Sequence, residues 1–224
     1  MSGRSEALRG WIQAGDRRAL TVCLVAVLVG SGLYGAAMGS WRSPWQGLFV
    51  AVKLPLVLLL TTIGNALLNS MLAPLLGLRI TLRESLLAIL MSFGISGAVL
   101  GAFSPIAAFI TWNCPPMHPD RQISGGAYSL IMVTHVVVIT FAGAAGTLRL
   151  AQLLRSISPG RGVAWRVLFA WLAVNLFLGS QISWILRPFI GSPILPVRFI
   201  RATAFQGNFY ETVFASLMRL LGGS

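Results

Sequence analysis

The chain has 224 residues, of which 56% are hydrophobic and 10% charged, and its 17 Lys and Arg against 5 Asp and Glu give a net charge of +12. A soluble domain carries roughly 25% charged residues, and nucleic-acid binders display their basic residues on a polar surface that a chain of mean hydropathy +0.80 lacks. A lipid bilayer is therefore the expected partner and nucleic acid is not, while two cysteines, Cys23 and Cys114, are too few for a disulfide framework or a zinc site.

A hydrocarbon core of roughly 30 Å needs about 20 mostly apolar residues to cross it. After a basic N-terminal segment, 1–18, five stretches meet that requirement: 19–39, 47–76, 86–110, 127–148 and 163–186. The expected fold class is an all-α integral membrane protein with five transmembrane helices. The first stretch also has the basic lead of a signal peptide, but its apolar run of about 20 residues exceeds the usual 7–15, so it reads as a retained span. An N-terminus on the inside places Arg4, Arg9, Arg17, Arg18, Arg79, Arg83, Arg149, Arg155 and Arg161 on the cytoplasmic face and leaves Arg42 and Arg121 in the outer loops. Trp41, Trp45, Trp112, Tyr128 and Trp184 then fall at the outer span ends, where amphipathic rings prefer the headgroup level. The expected location is a bacterial inner membrane.

The tail, 187–224, carries Arg187, Arg198, Arg201 and Arg219 on what this topology makes the outer side. A re-entrant dip through 189–197 is the structural alternative. Asn208 can cap a helix with Glu211 as its capping-box partner, and Tyr210, Val213, Phe214, Leu217, Met218 and Leu221 share one face, so 208–222 reads as an interfacial amphipathic helix.

Between helices in lipid, small residues and polar contacts supply the association. Ser31, Gly35 and Gly39 line up in the first span, Gly94, Gly97 and Gly101 in the third, and Ala142 and Gly146 in the fourth. These faces serve packing within the chain or a homo-oligomer. Thr62, Asn65, Asn69, His135, Asn175 and Gln181 are the polar residues inside spans, read either as packing glue or as a polar pathway. Lys53, two residues before Pro55, either snorkels to the interface or fixes an anionic headgroup.

All five acidic residues, Glu6, Asp16, Glu84, Asp120 and Glu211, lie outside the spans or at their rims, which disfavours ion-coupled carriers of the carboxylate type. The chain has no Walker loop and no His-Glu-x-x-His, so neither ATP hydrolysis nor zinc peptidase chemistry is expected. The enzyme reading that remains pairs Ser96, in Gly94-Ile-Ser-Gly97, with His135 as the base of a serine intramembrane protease. Counted from the expected inner span ends, the two residues lie at about 15 and 18 Å depth. Against that reading, no second polar cluster offers an oxyanion hole. Cys114, Met117 and His118 in the outer Pro-rich loop are of a type that suits copper, without any repeat to support a site. No cofactor is expected.

The strings Tyr34-Gly-Ala-Ala-Met-Gly39, Val52-Lys-Leu-Pro-Leu-Val-Leu-Leu-Leu-Thr61, Trp184-Ile-Leu-Arg-Pro-Phe-Ile-Gly-Ser-Pro193 and Gly207-Asn-Phe-Tyr210 resemble an uncharacterised family of bacterial multi-span membrane proteins. In general plan that family is similar to the five-span Yip proteins of vesicle traffic. The resemblance implies no activity, and directs attention to Arg187, whose turn is stiffened by Pro188 and Pro193. The functional expectation is a non-enzymatic scaffold or accessory subunit that uses the Arg187 turn and the tail towards an anionic lipid or a membrane-protein partner. A small transporter or channel using the Asn, His and Gln set is the alternative.

Overall fold

The structure, a computed structural model, describes residues 17–116, 121–191 and 196–211 together with residues 10, 214 and 218. Five helices are each long and apolar enough to cross a membrane: α1 Arg17–Ser40, α2 Pro44–Leu75, α3 Leu82–Asn113, α4 Arg121–Ile157 and α5 Arg161–Leu186. No strand occurs among the described residues. Even α1, with 24 residues, is about 36 Å long. Only helices with internally satisfied backbones can fill such spans in lipid.

The helix ends are set by local chemistry. Pro44 starts α2 behind Ser43, whose hydroxyl accepts from the Gln46 N–H at 3.1 Å. At the other end Gly77, at φ +90°, closes α2 with the paired bonds Leu78 N–H to Ala73 carbonyl, 2.9 Å, and Gly77 N–H to Pro74 carbonyl, 3.1 Å. Thr81 and Glu84 form a capping box that opens α3. Within α3, Pro105 has no N–H for the Gly101 carbonyl, and Ser104 Oγ donates to that carbonyl at 2.7 Å instead.

Small residues fix how the helices meet. Added Cβ atoms at Gly35 and Gly39 would lie 2.5 Å from the Val50 carbonyl oxygen and 2.6 Å from that of Gln46, so α1 and α2 form a tight antiparallel hairpin. The pairs Cys23 with Gly94, Ala26 with Gly97 and Gly30 with Gly101 show α1 and α3 running parallel, with backbones touching. A π turn, Ala26–Gly30, interrupts α1 at this contact. Gly146 of α4 rests on Ser92 and Ser96 of α3. The expected small-residue faces thus pack against other helices of the same chain.

α3 is the central helix and the most buried of the five. The core runs in three clusters along the bundle. One, near the Gly77 turn, gathers Ala73, Leu78, Ala88, Leu154, Val167 and Trp171; a second holds Tyr34, Leu100, Val138 and Ala142; the third, near the α1–α2 turn, holds Met38, Trp41, Val50, Ile131 and Ile190.

Candidate functional site

The third cluster includes Ile190 because the chain after α5 folds back onto the bundle instead of leaving it. Two buried polar side chains of α2 hold that turn. Lys53 Nζ donates to the Pro188 carbonyl at 3.0 Å, and Gln46 Nε2 donates to the carbonyls of both Pro188 and Phe189 at 3.0 Å. Both residues are almost wholly inaccessible, Lys53 at 0% and Gln46 at 1%. A buried ammonium without a partner is expensive, and here the partner is a backbone carbonyl inside the fold. Lys53 therefore does not snorkel to a free interface. Gly191, at φ +95°, completes the turn against the Arg42 side chain.

Two cations touch this turn, Lys53 at Pro188 and Arg42 at Gly191. Arg187 donates from Nη1 to the Trp184 carbonyl at 2.9 Å, with its guanidinium carbon 3.4 Å from the centroid of the Trp184 ring. The Lys53 ammonium lies 5.3 Å from the centroid of Phe199, which itself packs edge-on against Phe49 at 5.6 Å. Arg201 lies two residues beyond Phe199. Burial first, and the charge of Arg201 second, hold the Arg187 guanidinium below its ordinary range. Gln46 Oε1 is buried nearby with no hydrogen-bond partner.

Beyond Arg201 the tail runs back along α5. Phe209 N–H donates to Gln181 Oε1 at 3.3 Å, Tyr210 OH donates to the Phe177 carbonyl at 3.2 Å, and the Phe177 and Tyr210 rings stack at 5.4 Å. Phe177 lies nine residues before the end of α5, so the tail descends about 14 Å beside it. The expected capping box is formed, with Asn208 N–H bonded to Glu211 Oε2 at 3.2 Å and Glu211 N–H to Asn208 Oδ1 at 2.8 Å. Most of the expected helix 208–222, and residues 192–195 of the expected re-entrant segment, lie outside the described residues.

The other polar candidates are dispersed. Asn65 Nδ2 donates to Asn175 Oδ1 at 2.9 Å across α2 and α5. One turn further along α2, Asn69 is fully buried with neither side-chain atom bonded, and Thr61 Oγ1, Asn65 Oδ1 and Trp171 Nε1 are likewise without partners. His135 lies elsewhere, with Nδ1 2.8 Å from the hydroxyl of Tyr34 on α1. Gln181 holds the tail.

Ser96 and His135 are not brought together. Ser96 Oγ donates to the Ala142 carbonyl at 2.9 Å and contacts the Ser92 carbonyl at 3.2 Å. Ala142 is seven residues from His135, about 10 Å along α4. The depths matched in the sequence because both helices were counted from expected ends, whereas α3 begins at Leu82 and α4 continues to Ile157. Cys114 is half-buried at the end of α3, Met117 and His118 lie outside the described residues, and no group of three His, Cys, Asp or Glu that could hold a metal occurs among the described ones.

Gln46 and Tyr34 are the participants that sequence reasoning passed over. A glutamine in the first turn of an otherwise apolar helix was the available signal for Gln46. No family model, no curated protein and no solved structure matches this chain.

Proposed function

We propose that this chain is a non-enzymatic membrane scaffold or accessory subunit that presents the clamped Arg187 turn and the returning tail to a partner. The observation that carries the reading is the dispersal of the buried polar side chains. Tyr34 and His135 tie α1 to α4, Asn65 and Asn175 tie α2 to α5, Gln46 and Lys53 tie α2 to the turn, and Gln181 ties α5 to the tail. Each set joins two elements, and no single centre gathers them. The reading places the N-terminus on the cytoplasmic face of a bacterial inner membrane. It is supported by the alternation of the helices, which brings Arg17, Arg18, Arg79, Arg83, Arg155 and Arg161 to one end of the bundle.

A second reading, passage of a small neutral solute, draws on the α2–α5 seam with its unpartnered Thr61, Asn69 and Trp171 atoms. Proteoliposomes separate the two. Glycerol and water flux indistinguishable from empty vesicles is the expected outcome, together with a reproducible crosslink to one membrane partner from a photoreactive residue at exposed Ile200 or Phe205. Flux that Asn65→Leu abolishes would overturn the scaffold reading.

A further inference from the structure

Two contacts fix the register between α2 and α5. Asn65 bonds to Asn175, and a Cβ added at Gly179 would lie 3.9 Å from Thr61, so each step of four residues along α2 matches a step of four back along α5. The next step sets Asn69 opposite Trp171, and the one after it sets Ala73 opposite Val167, both of which share a core cluster with Trp171. Asn65 and Asn69 are wholly inaccessible, and Trp171 is 1% exposed. At this rung Asn65 Oδ1, Asn69 Oδ1, Asn69 Nδ2 and Trp171 Nε1 have no hydrogen-bond partner among the described residues. Buried polar atoms are nearly always bonded, and orphans of this kind destabilise the fold that contains them unless a ligand joins them.

We propose that this rung is a binding site for ordered water, held between Asn65, Asn69 and Trp171 in the interior of the bundle. The donors and acceptors select the ligand. Trp171 Nε1 and Asn69 Nδ2 only donate, whereas the two Oδ1 atoms only accept. A bare cation would face the two N–H groups and an anion the two amide oxygens, while water both gives and takes hydrogen bonds. Water that accepts from Trp171 Nε1 and donates to Asn65 Oδ1 and Asn69 Oδ1 makes the three bonds usual for a buried water, and a second one on Asn69 Nδ2 completes the set. Size acts in the same direction. Trp171 packs with Ala73, Leu78 and Val167, so nothing much larger enters without parting α2 from α5. Towards Thr61 the seam is closed by the bond between Asn65 and Asn175. The site deepens the scaffold reading and rests on it in taking the seam as closed: water here ties α2 to α5 and does not travel along them.

The test is solution NMR of the full chain in detergent micelles with isotope-labelled tryptophan, the Trp171 indole signal being assigned by its loss in Trp171→Phe. The expected result is a rotating-frame cross-peak of dipolar sign between the Trp171 Nε1 proton and water. Exchange of that proton for deuterium should be at least about tenfold slower than at the exposed indoles of Trp45 and Trp112. Asn69→Leu removes the cross-peak and leaves the other indole signals in place. Asn65→Leu, which removes the second acceptor, weakens it and decides the matter if Asn69→Leu does not fold. A dipolar cross-peak that is absent, or unaltered in the variants, overturns the water site. If the Trp171 signal then still shifts in Asn69→Leu, the two side chains bond directly, and the scaffold reading stands while the water proposal alone falls. Deuterium exchange as fast as at Trp45 and Trp112 overturns the closed site, and solute flux through proteoliposomes in the same preparation overturns the scaffold reading with it.

Discussion

Adding a single methyl group at Gly97 tests the packing that organises the bundle. A Cβ there would lie 2.5 Å from the Ala26 carbonyl oxygen and 3.0 Å from Val27 Cα, where ordinary contact begins at 3.4 Å. Restoring that contact requires α1 and α3 to separate by about 0.9 Å, since both obstructing groups are backbone and cannot rotate away. A gap of 0.5–1 Å forfeits roughly a quarter to a half of each dispersion contact, and in lipid no hydrophobic term compensates for it. Overpacking of this type costs typically 1–3 kcal/mol, and about 2 kcal/mol is expected for Gly97→Ala. The measurement is reversible unfolding in an SDS titration followed by circular dichroism, with Gly143→Ala as control, because a Cβ at Gly143 meets nothing within 4 Å. Equal stability of the two variants would show that the α1–α3 backbones do not touch as described, and the parallel register built on Gly94, Gly97 and Gly101 would fall with it.

Three further outcomes follow from the same geometry. Asn65→Leu and Asn175→Leu should each destabilise, while a double-mutant cycle should return a coupling of about 0.6–1.7 kcal/mol, the range for hydrogen bonds between membrane helices; zero coupling would mean that the two amides do not meet. Lys53→Met removes the donor to Pro188, so trypsin should cut at Arg198 and Arg201 about tenfold faster than in wild type, and an unchanged rate would show that the tail is held without the clamp. Ser96→Ala should leave the processing of membrane proteins in cells unchanged, with a stability loss of about 1 kcal/mol from its bond to Ala142; lost cleavage of any substrate would restore a catalytic role that the separation of Ser96 and His135 argues against.

The +12 charge and the five apolar stretches determined the fold class by themselves, because in a bilayer each backbone must satisfy its own polar groups and a span is a local property of about 20 residues. Small residues at spacing three and four were legible for the same reason, since one helix repeats its face at that period. The sequence left open which helix each glycine face meets. The structure assigns Gly35 to α2, Gly97 to α1 and Gly146 to α3.

Register between helices is a tertiary quantity, and it decided every site. An extension of α4 by nine residues past its expected end, to Ile157, separates Ser96 from His135, because each residue of offset moves a side chain by about 1.5 Å. The same holds for Lys53, whose surroundings depend on a turn 135 residues further along the chain. Hydropathy marked Lys53 as an anomaly in an apolar helix. Only the return of the chain after Leu186 makes it the clamp of Pro188, because that contact joins residues that local pattern leaves far apart.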